Sequence, residues 1–152
     1  MRRTLFLAAS LLVAATAAAK DVTHEFQAAV ARGGVQRVVI AISAGKFTVR
    51  NSTGDRLALS GIASRDFDGS KEKIWAQKVV DDTSVEFVIN GAEAIVRRKF
   101  AKNAQSFRAQ KFTGIDLRLD LPKGMDVDFD TSAVEIDMEG DFGDIDFDLR
   151  GP

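Results

Sequence analysis

The 152-residue sequence contains no cysteine and no tyrosine, and it has only one histidine, one tryptophan and two prolines. Without cysteine the chain forms no disulfide, no thiolate metal site and no cysteine-linked lipid anchor. A single histidine also disfavours hydrolases of the serine type, because histidine is the commonest catalytic base. The sequence therefore predicts a fold held together by packing and hydrogen bonds alone.

Long apolar runs are scarce as well, and the one that stands out lies at the N-terminus. Met1-Arg2-Arg3 precedes an apolar run from Leu5 to Val13, and small residues follow up to Ala19. This order is typical of a secretory signal peptide, and the run is shorter than the roughly 20 residues of a membrane span. We predict a signal peptide over residues 1–19, a single domain over residues 20–152, and export to the periplasm or cell surface with no transmembrane anchor after cleavage.

Charge is balanced overall but unevenly distributed. The 21 basic and 22 acidic residues nearly cancel, which gives no reason to expect a nucleic acid partner. The segment 112–152, however, holds 12 acidic and 3 basic residues, whereas residues 1–111 hold 18 basic and 10 acidic ones. Such asymmetry indicates an interaction surface, head-to-tail association or a solvated acidic face. The basic cluster is interpreted as a solvated loop or as a site for lipid headgroups or an acidic partner; it comprises Arg97, Arg98, Lys99, Lys102, Arg108 and Lys111.

Apolar and polar residues alternate along much of the chain, with the two-residue period of half-buried strands. The clearest case is residues 22–30, where His24 shares a face with Val22 and Phe26 and is predicted to be a packed or edge residue. Glycine or polar turns separate the other predicted strands, which cover residues 35–42, 46–50, 57–61, 74–80, 85–89 and 94–100. We predict a polar loop over residues 64–73 and irregular structure over residues 100–109, because helical periodicity is weak in both.

A nine-residue repeat occupies the last part of the chain. Residues 125–133, 134–142 and 143–151 align as MDVDFDTSA, VEIDMEGDF and GDIDFDLRG. Two columns are apolar (Val127, Ile136, Ile145; Phe129, Met138, Phe147), and three are acidic (Asp126, Glu135, Asp144; Asp128, Asp137, Asp146; Asp130, Glu139, Asp148). A short fixed period of strand and turn is typical of a β-solenoid, in which stacking builds one continuous core.

Nine residues span only about 30 Å, which is too short to circle a core of two opposed sheets. We therefore predict that nine residues make half a coil, so that the segments 126–130 and 144–148 stack on one sheet and the segment 135–139 lies on the other. The apolar columns then point inward and the acidic columns outward. An antiparallel β-meander or sandwich fits the same alternation and stays open as an alternative.

The acidic columns need no bound cation, because apolar burial outweighs the repulsion between exposed carboxylates. We predict no metal site and no cofactor. Closely spaced carboxylates can bind Ca²⁺, and the candidate ligands would be Asp126, Asp128, Asp130, Asp144, Asp146 and Asp148. The repeat lacks the glycine-rich turn of calcium-binding nonapeptides, so a solvated face is the preferred interpretation.

No nucleophile elbow, phosphate loop, zinc-binding helix motif or dinucleotide fingerprint is present in the sequence. We therefore predict that the protein is not an enzyme and has no catalytic residues. The alternative is a small carbohydrate-active or cation-dependent periplasmic enzyme, which would need two carboxylates and an aromatic side chain converging in a groove.

Two motifs carry a resemblance to a known family: residues 42–49, ISAGKFTV, and residues 121–127, LPKGMDV. Together with the repeat they resemble the bacterial putative adhesin domains of unknown function, also called toast-rack or adhesin-head-like domains. The resemblance covers Asp21 to about Gly61 and Ile115 to the end. It implies a β-solenoid with an envelope or surface role, and it supplies no catalytic residues.

From the residues and the resemblance together we expect an all-β, non-catalytic envelope protein. It would present a solenoid surface for adhesion or for binding another envelope protein or surface ligand. The strand edge near Leu149 is predicted to offer unpaired backbone groups, which favours homo-association or addition of a partner strand there.

Overall fold

The computed structural model describes residues 20–100, 113–132 and 134–149. The predicted signal peptide lies outside this part of the chain, as do residues 101–109 of the predicted irregular segment and the basic residues Lys102, Arg108 and Lys111. The elements, in order, are β1 (Asp21–Ala31), β2 (Arg37–Ala41), β3 (Gly45–Asn51), β4 (Arg56–Asp66), α1 (Gly69–Asp81), β5 (Thr83–Asn90), β6 (Glu93–Phe100), β7 (Gly114–Leu121), β8 (Asp126–Thr131), β9 (Val134–Glu139) and β10 (Ile145–Leu149).

The strands form two five-stranded sheets that pack face to face. The first sheet has the order β1-β4-β7-β3-β9, and the second has the order β10-β8-β2-β6-β5. Pairing is antiparallel for β1–β4, β4–β7 and β5–β6, and parallel for β2–β6, β2–β8, β3–β7, β3–β9 and β8–β10. The prediction of an all-β fold is confirmed in this coarse form, because strands dominate and helix α1 is the exception among the described residues.

The alternating residues of the sequence supply the core between the two sheets. Each strand turns its apolar residues to this side because successive side chains face opposite ways. Val38 and Ile40 of β2, Phe47 and Val49 of β3, and Leu117 and Leu119 of β7 are almost completely buried in one cluster. The predicted strands over 22–30, 35–42, 46–50, 85–89 and 94–100 are thereby confirmed, with ends that differ by a few residues.

The middle of the chain differs from the prediction. The predicted strand over residues 74–80 is wrong, because these residues lie in helix α1, and the predicted loop over 64–73 is shortened from both sides by β4 and α1. Ala76, Val79 and Val80 form the buried face of α1, which packs against β1, β4 and β5. Ile74 and Trp75 are instead 75% and 42% exposed. These two apolar residues lie off the buried stripe, so they obscured the helical period. No helix in the described part of the chain is long and apolar enough to cross a membrane.

The three copies of the nine-residue repeat alternate between the two sheets. Strands β8 and β10 are parallel neighbours, with Val127 opposite Ile145 and Phe129 opposite Phe147. Strand β9, which lies between them in the sequence, belongs to the other sheet and pairs with β3. The predicted stacking of segments 126–130 and 144–148, with 135–139 on the opposite sheet, is confirmed. An antiparallel meander is wrong for this part of the chain, because both pairings are parallel.

Burial of the repeat declines along the chain. Val127 and Phe129 are fully buried, and Ile136 and Met138 are partly buried against the core. Ile145 and Phe147 are 42% and 55% exposed, so the prediction that all six apolar side chains lie inside is wrong for β10. The physical reason is that β10 is the edge strand of the second sheet and pairs, among the described residues, with β8 alone.

Candidate functional site

The outer face of the first sheet carries an open groove with a volume of about 750 Å³. This is within the usual range for small-molecule sites, roughly 300–1,000 Å³. Two transverse rows of outward side chains line the groove: Glu25, Ile62, Asp116 and Lys46 in one row, and Gln27, Ser60, Arg118 and Thr48 in the other. Each row crosses β1, β4, β7 and β3, so strands distant in sequence contribute to one surface.

Gly61 lies between the two rows, in the interior of β4 rather than at its end as predicted. A Cβ atom built on Gly61 would stand 2.6 Å from Cζ of Phe26, and it would also collide with the Asp116 carbonyl oxygen. The position therefore requires glycine, because the Phe26 ring occupies the space that a side chain would need. Phe26, Gly61 and Leu117 lie between the two rows and also line the groove.

The groove contains both signs of charge. Lys46 Nζ is 3.3 Å from Oε1 of Glu135 on β9, and Arg118 donates hydrogen bonds to both carboxylate oxygens of Asp120. The hydrogen bond to Asp120, together with the attraction of that carboxylate, raises the pKa of Arg118 above its ordinary value. Glu25 and Asp116 have no ion pair with any described residue. The groove thus offers fixed cations, two available carboxylates and the amide and hydroxyl groups of Gln27, Ser60 and Thr48.

His24 lies outside the groove and on the other face of β1. Its ring is partly buried, and Nδ1 is 3.7 Å from Oδ1 of Asp81 at the end of helix α1. The side chain thus links the first strand to the helix, in agreement with the predicted packed or edge position. It points away from Ser60, so the two residues do not form a nucleophile and base pair.

The predicted basic cluster is divided by the alternation of β6. Arg97 and Lys99 are exposed, and Arg97 pairs with Glu86 across the strands at 3.1 Å. Arg98 points inward, is 8% exposed and donates a hydrogen bond of 2.8 Å to the Thr113 carbonyl. Desolvation by this burial lowers the pKa of Arg98 to about 10. The interpretation of residues 97–99 as a solvated loop is therefore wrong, since a strand sends every second side chain to the core.

The candidate calcium ligands lie on two neighbouring strands of the second sheet. Asp128 stands opposite Asp146, and Asp130 stands opposite Asp148. Asp126 and Asp128 are also close to Arg37 of β2, at 4.0 and 3.2 Å. Among the described residues, no group of three or more carboxylates and histidines is placed to hold a metal ion. The prediction about cation binding at these six residues stays a prediction.

The groove could not be predicted from the sequence. Gln27 and Lys46 lie in predicted alternating strands, but alternation does not reveal which strands are neighbours. One signal was present, because an isolated glycine such as Gly61 inside a strand indicates close approach of another group. The adjacency of β1, β4, β7 and β3 had no comparable signal in a single sequence.

No protein-family model matches the chain, and no curated protein matches it. The chain resembles the solved structure of a putative cell adhesion protein from Clostridium sporogenes at 10% identity and a TM-score of 0.40, covering 86% of this chain and 63% of that one. It also resembles a putative adhesin from Parabacteroides merdae at 9% identity and a TM-score of 0.36, covering 81% of this chain and 43% of that one. A putative adhesin from Bacteroides fragilis is similar at 10% identity, with a TM-score of 0.30, covering 87% and 55%. The chain thus spans about half of the length of these structures.

Proposed function

We propose that the protein is an exported, non-catalytic envelope protein that binds a surface ligand or another envelope protein through the groove on its first sheet. The observation that carries the proposal is the groove itself, a concave surface of about 750 Å³ with both signs of charge. Export is supported by the N-terminal sequence, in which cleavage after Ala19 leaves a single domain over residues 20–152. The compartment is then the periplasm or the cell surface.

The β-solenoid architecture belongs to the same proposal. Parallel stacking of β8 on β10, with β9 on the opposite sheet, supports an 18-residue coil in the last part of the chain. The antiparallel pairs β1–β4, β4–β7 and β5–β6 do not follow this scheme. We propose that the stacked half-coils form a rigid scaffold that holds the long strands β1 and β4 flat enough to present the groove.

The groove can be tested by filling it. We expect Ser60→Trp to reduce binding of the purified protein to envelope fragments by at least about tenfold, because the ring would occupy the space between the two rows. Thr23→Trp is the matched control, since Thr23 is exposed on β1 outside the groove. Binding is measured by cosedimentation with the fragments, and unfolding curves check that both variants fold. Equal binding by the two variants would exclude the groove as the ligand site.

A second candidate function rests on Glu25 and Asp116, which lie in one row with Ile62 between them. Two strand spacings separate them by roughly 10 Å, close to the carboxylate separation of inverting glycosidases, about 6.5–9.5 Å. The described lining residues do not meet the aromatic requirement, because the Phe26 ring is buried and cannot stack on a sugar. Release of reducing sugar from envelope polysaccharide, abolished by Asp116→Asn, would support this enzyme. Binding without turnover supports the non-catalytic proposal.

A further inference from the structure

The edge of the second sheet at β10 has the features of a surface that binds an additional strand. Among the described residues β10 pairs on one side only, so half of its backbone groups face away from the sheet. One face of the Phe147 ring stacks on Phe129 with centroids 5.0 Å apart, yet the side chain is 55% exposed. Ile145 beside it is also exposed. A free strand edge flanked by exposed apolar side chains is suited to accept another strand.

The acidic strands β8 and β9 show which kind of neighbouring strand they pair with. Strand β9 pairs in parallel with β3, which is basic: Lys46 lies 3.3 Å from Glu135, and Arg50 lies 2.8 Å from Asp137 and 3.8 Å from Glu139. Strand β8 pairs with β2, and Arg37 of β2 lies 3.2 Å from Asp128 of β8. Strands β8 and β9 thus each adjoin a strand with at least one outward cation, and β8 adjoins the acidic strand β10 on its other side.

Strand β10 repeats the chemistry of β9 one repeat later. Ile145 and Phe147 correspond to Ile136 and Met138, and Asp144, Asp146 and Asp148 correspond to the three outward acids of β9. We propose that the free edge of β10 binds an extended segment of another polypeptide in which Lys or Arg alternates with apolar residues. The segment adds a parallel strand, lays its apolar side chains on Ile145 and Phe147 and sets its cations beside the carboxylates of Asp144 and Asp146.

A second copy of the chain is the competing occupant, and charge opposes it. Two β10 strands pairing across a two-fold axis would bring their outward carboxylates opposite one another. Each such pair repels by roughly 1 kcal/mol in water-like surroundings. The carboxylates of β10 therefore protect the edge against self-pairing while they favour a basic partner. Of the two outcomes that the sequence predicts for this edge, the charges therefore favour addition of a partner strand over homo-association.

The experiment uses a labelled peptide with the sequence of β3, GKFTVRN, because this segment is the natural basic neighbour of an acidic strand in the fold. We expect the purified protein to bind it in fluorescence anisotropy titrations, more weakly as NaCl is raised. Phe147→Ser should weaken binding by at least about tenfold, since it removes most of the apolar contact. Asp144→Asn with Asp146→Asn should weaken it by roughly threefold and flatten the salt dependence.

The matched controls lie at the opposite end of the molecule. Ile89→Ser changes an exposed apolar residue on β5, the other edge strand of the same sheet, and Asp21→Asn with Asp66→Asn removes two exposed carboxylates. Both controls should leave peptide binding unchanged. Ser60→Trp in the groove should also leave it unchanged, so the peptide experiment tests this inference independently of the proposed function of the groove. Equal binding of the peptide carrying Lys46→Glu and Arg50→Glu would overturn the proposal. So would dimerisation of the protein that Phe147→Ser abolishes while the peptide does not bind.

Discussion

At the residue scale, Asp137 shows how the outward carboxylates are held where a basic strand adjoins them. Arg50 donates a hydrogen bond of 2.8 Å to its carboxylate and another of 3.1 Å to its backbone carbonyl. The hydrogen bond from Arg50 lowers the pKa of Asp137 below its ordinary value of 3.8, and the charges of Arg50 and Lys46 add to the effect. The ionised form is thus favoured in the folded protein although the side chain is exposed.

This lowered pKa predicts a pH-dependent effect of Asp137→Asn. A carboxylate whose pKa is lower in the folded state contributes stability above its unfolded pKa, and the contribution is lost as the pH falls through the folded pKa. We expect the variant to melt at a slightly lower temperature than the wild type at pH 7 and low salt. The difference should shrink below about pH 3.8. Thermal unfolding between pH 2 and 7 measures it.

The control for this experiment is Asp146→Asn. Asp146 stands opposite Asp128 rather than opposite a basic residue, so its neutralisation removes repulsion and should not lower the melting temperature. A loss of stability in Asp137→Asn that is the same at pH 3 and pH 7 would show that the ion pair with Arg50 is not its source.

At the scale of elements, strands were predictable from the sequence where one face is buried and the other solvated. Strand β3 is an example, because Phe47 and Val49 alternate with Lys46 and Arg50. Helix α1 was not predictable in this way. Its buried stripe is short and begins with a small residue, Ala76, while Ile74 supplies an apolar residue on the exposed side. The adjacent Val79 and Val80 also favour strand by intrinsic propensity.

The helical structure of α1 predicts effects of substitution on stability that differ from those expected for a strand. In a strand, Ile74 and Val80 would share a face, whereas in α1 Val79 and Val80 are buried and Ile74 is exposed. We expect Val79→Ala to lower the free energy of unfolding by about 1–3 kcal/mol through the cavity it leaves. Ile74→Lys should change it by less than about 0.5 kcal/mol, as surface substitutions usually do. Urea unfolding measures both, and a larger loss in Ile74→Lys would contradict the helical arrangement.

At the scale of the whole molecule, alternation defines which face a residue takes but not which strands become neighbours. The fixed nine-residue period was enough to predict that β8 stacks on β10, because a repeat specifies its own register. No period links β1, β4, β7 and β3, and their order depends on how all strands share one core. The groove on the first sheet follows from that order, and it was therefore beyond the reach of a single sequence.

The two acidic strands of the second sheet give a final prediction about cations. Neighbouring strands lie about 4.8 Å apart, so the stacked carboxylates of β8 and β10 repel by roughly 1 kcal/mol per pair, and any added salt screens them. Specific Ca²⁺ binding needs six to eight oxygen ligands around one point, whereas Asp128 and Asp146 stand side by side on a flat outer face, with Arg37 next to Asp128. We expect millimolar Ca²⁺ to leave the melting temperature unchanged when NaCl keeps the ionic strength constant. A ligand that binds only the folded state stabilises it by mass action. A calcium site on this face would therefore raise the melting temperature selectively with Ca²⁺. That rise would be lost in the double variant Asp128→Asn with Asp146→Asn and kept in the control Asp21→Asn with Asp66→Asn.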